Sequence, residues 1–521
     1  MKRIKVGFLG LLFIVSLPSP GIPKIPGASP SYAPPSAQAS PWPTAGWKTS
    51  TPEEQGMDSR KLAGALDFLK TYEPNIHSLL VVRNGVLVAE AYFHPFPPES
   101  RHDVASVTKS VTSTLVGIAV RKGLIKSVEE PVLGFFPEYA PANLDDRKKS
   151  ITLRDLLAMR SGLQCVASPT EETLMRMIAS PDWIRFMLDL PMAAKPGEVF
   201  VYNSGGVHLL SAVIRKATGR SALDFAKDEL FGPLGITDAR WPADPLRGDN
   251  HGWGDLQLRP RDLAKIGYLF LNKGAWDGKT IVTPEWVAAA TSPFPGALQD
   301  NYGRLWWLNK DYGYSARGRG GQYIYVVPRT NLVVVMTGGG LRAADRTLTG
   351  HILPAVVSPS APLPGDPDGA ALLRSRIEEA ARAPQPSPGT ERLRPETAAK
   401  ISGREIKFDS NPFDISVMKL DFDAAGDAVM SVRAPGFGAK DQTFQLGFGG
   451  TFRYSEGRNG MAVAGKGTWT SPQSVSIEID EIGNINKFLV ELTFDETGAT
   501  GFIEEKTGLG RAPLRGSFVR K

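Results

Sequence analysis

Two apolar runs predict a β-hairpin in the N-terminal part of the chain. Residues 78–82 and 86–92 are rich in β-branched and aliphatic side chains and are joined through Arg83-Asn84-Gly85. Asn-Gly between two such runs is a strong signal for a two-residue turn. From residue 106 to residue 122 the apolar side chains recur at helical spacing instead. The pattern therefore predicts a hairpin and, shortly after it, a helix.

Helical spacing continues through the middle of the chain, and strand patterns return after it. Predicted helices lie near residues 152–160, 171–190, 206–217, 221–230, 260–273 and 284–290. Residues 322–327 and 332–336 have the composition of strands. This order predicts an α+β fold in which the two terminal β-segments pair into one antiparallel sheet. Helices would cover its faces, with a helical subdomain beside it.

The C-terminal part of the chain has a different pattern. A Pro-rich stretch over residues 358–398 encloses a short predicted helix near 369–382. After it, short alternating runs are bounded by turn residues, which is typical of an all-β sandwich or barrel. We therefore predict a first domain over residues 40–357, a linker over 358–398, and a separate all-β domain over 399–521.

The N-terminus is typical of an export signal. Basic residues precede an apolar run from Val6 to Leu17, which is too short to span a bilayer. Residues 37–39 (Ala-Gln-Ala) match a small-x-small cleavage site. We expect a signal peptide over residues 1–39 and export to the periplasm or the medium, with an uncleaved anchor as the alternative. The remaining chain has no apolar stretch long enough for stable membrane insertion.

Composition excludes several classes of function. The chain has 521 residues and a formal net charge of +6, without a basic stripe of the kind that binds nucleic acid. Cys165 is the only cysteine, so neither an intrachain disulfide nor a cysteine-based metal site can form. The six histidines are far apart and form no His-x-x-x-His pair. A zincin-type site is therefore unsupported, and the acyl transfer considered below implies no metal or organic cofactor.

The motif that indicates chemistry is Ser106-Val107-Thr108-Lys109, at the start of the predicted 106–122 helix. Residues three apart lie on one face of a helix, so the two side chains can meet. A serine hydroxyl is a poor nucleophile until a base takes its proton, and a neutral lysine can do so. The free N–H groups at a helix N-terminus can also stabilise an oxyanion.

The chain contains a second match to the same motif, Ser416 to Lys419. Ile415 and Met418 indicate a strand there. Residues three apart on a strand point to opposite faces, so this serine and lysine are not expected to cooperate.

Ser106 and Lys109 are followed by further motifs in a fixed order. They are residues 156–163 (LLAMRSGL), 196–204 (PGEVFVYNS), 258–265 (LRPRDLAK) and 318–322 (GRGGQ). Over roughly residues 48–355, this succession resembles the β-lactamase-like serine hydrolases. That group includes class C β-lactamases, penicillin-binding D-peptidases, related carboxylesterases and 6-aminohexanoate-dimer hydrolases.

The resemblance implies roles for individual residues. Ser106 would be the acylated nucleophile, Lys109 its proton acceptor, and Tyr202 the tyrosine of the second motif, which exchanges protons with the leaving group and water. Ser204 stands where the class C pattern has Asn, and would bind substrate. The backbone N–H of Arg319 would pair with that of Ser106 as an oxyanion donor.

The third motif departs from the family pattern. Residues 316–318 read Ala-Arg-Gly where Lys-Thr-Gly is expected. The second motif reads Tyr-x-Ser in place of Tyr-x-Asn, which resembles the 6-aminohexanoate-dimer hydrolases and some esterases. The sequence therefore favours a serine hydrolase that acts on a small ester or linear amide. The alternatives are a D-stereospecific cell-wall peptidase or β-lactamase of the same fold, or a non-catalytic member that binds a ligand.

Overall fold

The computed structural model describes residues 42–167, 171–296, 301–383, 395–434, 441–457, 460–507 and 510–519. The predicted signal peptide over residues 1–39 lies outside the described residues. Among the helices that are described, none combines the length and the apolar character needed to cross a bilayer.

Helices and strands follow each other as the sequence predicts. The helices are α1 (Ser59–Tyr72), α2 (Val107–Arg121), α3 (Asp146–Lys149), α4 (Leu153–Leu157), α5 (Glu172–Ile178), α6 (Trp183–Asp189), α7 (Ser204–Thr218), α8 (Ala222–Ala226), α9 (Gly232–Leu234), α10 (Pro260–Leu271), α11 (Pro284–Ala290), α12 (Ala344–Thr347), α13 (Pro367–Ala381) and α14 (Glu396–Ile401). The strands before the Pro-rich stretch are β1 (Ile76–Arg83), β2 (Val86–Tyr92), β3 (His102–Asp103), β4 (Gln257–Leu258), β5 (Ala275–Trp276), β6 (Lys279–Thr280), β7 (Trp307–Asn309), β8 (Gly313–Gly318), β9 (Gln322–Val327) and β10 (Leu332–Gly338).

One prediction needs correction, since residues 171–190 form two helices instead of one. α5 ends at Ile178, and α6 begins after Asp182, whose side chain accepts a hydrogen bond from the Arg185 N–H at 3.0 Å. Pro181 lies between them. Proline disfavours a helical conformation in the residue before it, which explains the break.

The central sheet is antiparallel with the strand order β2-β1-β10-β9-β8-β7. Its first hairpin turns at Asn84 and Gly85, which have φ values of 52° and 83°. Two consecutive residues with positive φ are typical of the turn that the Asn-Gly pair predicts. β1 pairs with both β2 and β10. The predicted α+β fold, with the two terminal β-segments in one sheet, is therefore confirmed.

Both faces of this sheet are covered. Along β1, Leu80 and Val82 pack into one hydrophobic cluster with α2 and α10, whereas Leu79 and Val81 pack into another with α1. Successive side chains of a strand point to opposite faces, so β1 is buried along its whole length. The packing fixes α2 against the sheet, and every residue of α2 from Val107 to Ala119 is buried.

The Pro-rich stretch contains a packed helix. α13 (Pro367–Ala381), close to the predicted helix at 369–382, lies against α1. An ion pair joins Arg376 to Asp67 at 2.7 Å, and another joins Arg60 to Asp366 at 2.7 Å. Residues 384–394 of the predicted linker lie outside the described residues. The domain boundaries at 357 and 399 stay predictions.

The C-terminal strands form a closed barrel, so the barrel alternative of the prediction is the correct one. They are β11 (Glu405–Phe408), β12 (Val417–Phe422), β13 (Ala428–Arg433), β14 (Gln442–Phe448), β15 (Arg453–Glu456), β16 (Ala462–Trp469), β17 (Ser474–Glu481), β18 (Lys487–Phe494), β19 (Gly498–Glu505) and β20 (Gly510–Phe518). Neighbouring strands are antiparallel, β11 pairs with β20, and a short parallel pairing of β14 with β16 closes the ring. β15 adds to β16 outside this ring of nine.

Two helical glycines give opposite predictions for stability. A Cβ at Gly117 in α2 would lie 2.6 Å from the Trp286 ring, whereas a Cβ at Gly64 in α1 would meet nothing within 4 Å. Gly117→Ala should lower the free energy of unfolding by about 1–3 kcal/mol, because it overpacks the core. Gly64→Ala should raise it by ~0.5–1 kcal/mol through helix propensity. Urea denaturation checks both, and equal effects of the same sign would contradict the packing described for α2.

Candidate active site

The segment before α2 has an unusual backbone conformation at Ala105, the residue that precedes Ser106. Ala105 has a φ of 45°, a left-handed conformation that costs energy for a residue other than glycine. The Asp103 carboxylate stabilises it by accepting a hydrogen bond from the Ala105 N–H at 2.7 Å. Ser106 follows as the residue that begins α2, and it is half-buried. The nucleophile candidate therefore lies at a sharp turn between β3 and the helix.

Lys109 contacts the Ser106 side chain as its helical spacing predicts. The Lys109 Nζ lies 2.7 Å from the Ser106 Oγ and 2.8 Å from the carbonyl oxygen of Trp253. The lysine side chain is buried, with 1% of its surface exposed. Water therefore has little access to the amine, and the two protein oxygens fix its position above the serine.

Tyr202 lies next to the same amine. The Lys109 Nζ is 4.8 Å from the centre of the Tyr202 ring. The ring stacks on Trp307 at a centroid distance of 6.0 Å and meets Tyr302 edge-on. The two adjacent tryptophans differ in their positions. Trp306 is fully buried in the core, whereas Trp307 is half-buried beside Tyr202.

Ser204 makes a contact that sequence reasoning missed. Its Oγ donates a hydrogen bond to the Glu171 Oε1 at 3.0 Å, and the serine is buried at the first residue of α7. Asn203 caps the helix, accepting a hydrogen bond from the Gly206 N–H at 3.0 Å. The pairing has no sequence signal, since 33 residues separate the two side chains. That Ser204 binds substrate stays a prediction.

The third motif lies directly beside the nucleophile candidate. A Cβ at Gly318, the last residue of β8, would be 2.4 Å from the Val104 oxygen and 3.1 Å from the Ala105 Cβ. Arg319 follows Gly318 in the turn to β9, with its side chain exposed. In the part of the chain that the structure describes, the backbone N–H groups of Ser106 and Arg319 donate to no other residue. Both are available as oxyanion donors.

The other arginine of the motif, Arg317, is bound to side chains away from Ser106. The Arg317 guanidinium binds the Asp345 carboxylate at 3.1 Å and the Ser315 Oγ at 2.9 Å. Ala316 is fully buried in the core cluster that also contains α2. In this motif, Arg319 is the residue whose charge is exposed next to Ser106.

Asp103 is the titratable group with the most perturbed surroundings near Ser106. The pKa of its carboxyl is raised to about 7, chiefly by burial and also by the nearby Asp255 carboxylate. The hydrogen bond from Ala105 and the charge of Arg319 act in the opposite direction. The carboxyl that accepts the hydrogen bond from Ala105, in the turn before Ser106, therefore has a pKa well above its usual range.

The other nucleophile candidates do not form a comparable pair. The Ser416 Oγ donates to the Arg433 carbonyl at 3.0 Å, while the Lys419 Nζ binds the Asp421 carboxylate at 2.8 Å. The strand at this site separates the two side chains, as predicted. Burial raises the pKa of the Cys165 thiol to about 11, which disfavours the thiolate form.

One buried group has side chains of the types that bind metal ions: His208, Asp244 and Asp249. Their ligand atoms lie within 4.8 Å of one another. Both carboxylates already have protein partners. Arg215 binds Asp249 through two nitrogens at 2.7 and 3.0 Å, and Asp244 accepts hydrogen bonds from the backbone N–H groups of residues 246, 247 and 249. We assign no metal to this group.

The chain is similar to known proteins over the region that contains this site. A family model described as Beta-lactamase matches residues 53–349. The chain is 27% identical over 306 residues to the 6-aminohexanoate-dimer hydrolase of Paenarthrobacter ureafaciens, which covers 52% of this chain and 76% of that protein. It is similar to a solved family VIII carboxylesterase, with 19% identity, a TM-score of 0.44, and coverage of 64% and 98% of the two chains. The octameric penicillin-binding protein homologue of Pyrococcus abyssi has 18% identity and a TM-score of 0.46, covering 88% of this chain and all of that one.

The environment of Asp103 predicts a pH-dependent stability. A carboxyl in the unfolded chain loses its proton near pH 4, whereas that of folded Asp103 does so at about pH 7. Between these values the folded state binds the additional proton, so the free energy of unfolding falls as pH rises. Asp103→Asn should remove this part of the decrease, because an amide does not titrate. Denaturation at pH 5 and pH 8 tests it, and an unchanged difference in the variant would refute the assignment.

Proposed function

The chain belongs to the β-lactamase family, whose model matches residues 53–349, and we propose that it is an exported serine hydrolase that forms an acyl-enzyme on Ser106. The observation that carries this proposal is the hydrogen bond of 2.7 Å between the Lys109 Nζ and the Ser106 Oγ. A serine hydroxyl becomes a strong nucleophile when a base removes its proton as it attacks. The buried amine of Lys109 lies within hydrogen-bond distance of that hydroxyl, where it can take the proton during attack.

Acylation proceeds by addition to the carbonyl carbon, followed by elimination of the leaving group. The Ser106 Oγ bonds to the carbonyl carbon while its proton moves to the Lys109 Nζ. The carbonyl oxygen gains negative charge, which the N–H groups of Ser106 and Arg319 stabilise. When the intermediate collapses, the bond to the leaving group breaks, and that group takes a proton from the Lys109 and Tyr202 pair.

Deacylation uses the same residues in reverse. Water attacks the acyl carbon, and its proton passes to Tyr202 and Lys109. The bond from the carbon to the Ser106 Oγ then breaks, and the serine recovers a proton. The distance of 4.8 Å between the Lys109 Nζ and the centre of the Tyr202 ring supports a shared role for the two side chains.

A small ester or a linear amide is the substrate class that the surroundings support. Ser204 is shorter than the family asparagine, offers no amide N–H, and its hydroxyl is bound to Glu171. Ala316 provides no cation where the family has lysine, and Arg317 is bound to Asp345. The contacts that the family asparagine and lysine would make with a carboxylated β-lactam are therefore missing, and Arg319 is the exposed cation that this motif retains. The Paenarthrobacter relative, named for a 6-aminohexanoate dimer, supports the same class.

The nucleophile assignment predicts the behaviour of two serine variants. Ser106→Ala should abolish turnover of a p-nitrophenyl ester and labelling by an active-site phosphonate, with circular dichroism unchanged. Ser416→Ala is the matched control, because it belongs to the same motif in a strand, and it should keep full activity. Near-full activity of Ser106→Ala would eliminate the proposed mechanism. A wild-type chain that binds but never reacts with the phosphonate would favour the non-catalytic alternative.

The substrate assignment predicts an order of reactivity. A charge-assisted hydrogen bond is worth about 1.5–3 kcal/mol, so each missing contact should weaken β-lactam recognition roughly ten- to a hundred-fold. We expect kcat/KM for a short ester and for a linear ω-amino-acid dimer to exceed that for a chromogenic cephalosporin. A D-amino-acid peptide completes the panel, since it represents the cell-wall peptidase alternative. A cephalosporin turned over best by tenfold or more would reverse the argument from Ser204 and Ala316.

A further inference from the structure

The turn between β17 and β18 of the barrel, residues 482–486, reaches the segment that precedes Ser106. We refer to it as the barrel turn. The carbonyl oxygen of Gly483 accepts a hydrogen bond from the Asp103 N–H. Gly483 has a φ of +82°, and a Cβ there would lie 1.9 Å from the Arg101 carbonyl oxygen. The backbones approach so closely that only glycine fits at this position.

The same barrel turn also contacts the turn that carries Arg319. A Cβ at Gly320 would lie 2.7 Å from the Ile485 Cγ2, and Ile485 is 2% exposed. The Gly320 carbonyl in turn accepts a hydrogen bond from the Gly340 N–H at 2.7 Å. Ile485 is therefore packed against the residue that follows the second oxyanion donor.

A charge of the barrel also acts on Asp103. Glu481, the last residue of β17, raises the pKa of the Asp103 carboxyl, whereas Arg319 lowers it. Burial, the largest effect, and Asp255 act on this carboxyl as well. Asp103 and Gly320 both belong to the first domain. Asp103 lies near Ser106 in the chain and Gly320 follows Arg319, and each of them contacts the same five-residue turn of the barrel.

We propose that the barrel turn, through Gly483 and Ile485, positions the two oxyanion donors relative to each other. This role rests on the proposed hydrolase function. The Ser106 N–H is on the segment held by Asp103, and the Arg319 N–H is on the turn covered by Ile485. An oxyanion hole requires both donors at a fixed separation, although they come from chain segments more than 200 residues apart. One rigid contact that touches both segments meets this requirement.

Matched variants separate positioning from stability. Ile485→Ala removes the contact with Gly320, and Ile477→Ala removes the same atoms from a fully buried position inside the barrel. Losing a whole oxyanion donor costs about 10²–10³ in kcat, so a displaced donor should cost roughly tenfold in kcat for p-nitrophenyl acetate. The KM should stay within about twofold, because ground-state binding is unaffected. Ile477→Ala should keep the wild-type kcat at a temperature where it is folded.

A second pair of variants uses the glycine. Gly483→Ala should lower kcat as Ile485→Ala does, since the new Cβ forces the barrel turn away from Arg101. Gly510→Ala is its control, with a φ of +107° and no atom within 4 Å of the added Cβ. Hydrogen exchange gives a readout that does not require activity. Residues 100–108 and 316–322 should exchange faster in Ile485→Ala and Gly483→Ala, and at the wild-type rate in both controls.

The outcomes separate the two proposals. If phosphonate labels the wild type and all four variants share one kcat and one exchange pattern, the positioning role is wrong while the hydrolase function stands. If phosphonate does not label the wild type, the hydrolase function is wrong. Faster exchange at both segments in Ile485→Ala alone would then still support the structural link from the barrel turn to Ser106. A loss of kcat in Ile485→Ala equal to that in Ile477→Ala also overturns the positioning role.

Discussion

The site depends on keeping one lysine amine out of water. A buried donor without a partner costs about 1–3 kcal/mol, and more when it is charged, so each acceptor near Lys109 has to be supplied by the protein. The Ser106 Oγ is one acceptor, at 2.7 Å, and the Trp253 carbonyl is another, at 2.8 Å. The first comes from the same helix and the second from a segment 144 residues further along the chain. The hydrogen bonds of Lys109 are therefore complete only when these two regions are packed together.

That packing follows from the burial of α2 and of the central sheet. α2 is covered by apolar side chains over most of its length because it lies between the sheet and α7. The left-handed conformation of Ala105 costs energy, and the Asp103 carboxylate offsets part of it through its hydrogen bond. The strain is concentrated at Ala105, immediately before Ser106 and the start of α2. Such placement is common where backbone geometry serves chemistry.

Much of this arrangement could be predicted from local sequence patterns. Asn84-Gly85 predicts the hairpin because the turn needs two residues with positive φ, and helical spacing predicts that Ser106 and Lys109 meet. The resemblance to known hydrolases predicts that Tyr202 lies near Ser106 and Lys109. The carbonyl of Trp253 has no such signal, because every residue has a carbonyl. Nor does the Glu171 contact with Ser204 or the approach of Gly483 to Asp103, since tertiary packing alone decides which distant residues meet.

The way the barrel closes has a consequence for how it comes apart. Its strands form two runs of consecutive antiparallel neighbours, β11 to β14 and β16 to β20, which are joined by the pairing of β11 with β20. The second junction, between β14 and β16, is a parallel pairing of two residue pairs, Gly447 with Lys466 and Phe448 with Gly467. A parallel pairing is slightly weaker per residue than an antiparallel one, and this one is also the shortest in the ring. Under mechanical load or thermal fluctuation, the barrel should open first between β14 and β16. It then becomes a curled sheet with two free edges, while the antiparallel pairings within β11 to β14 and within β16 to β20 stay intact.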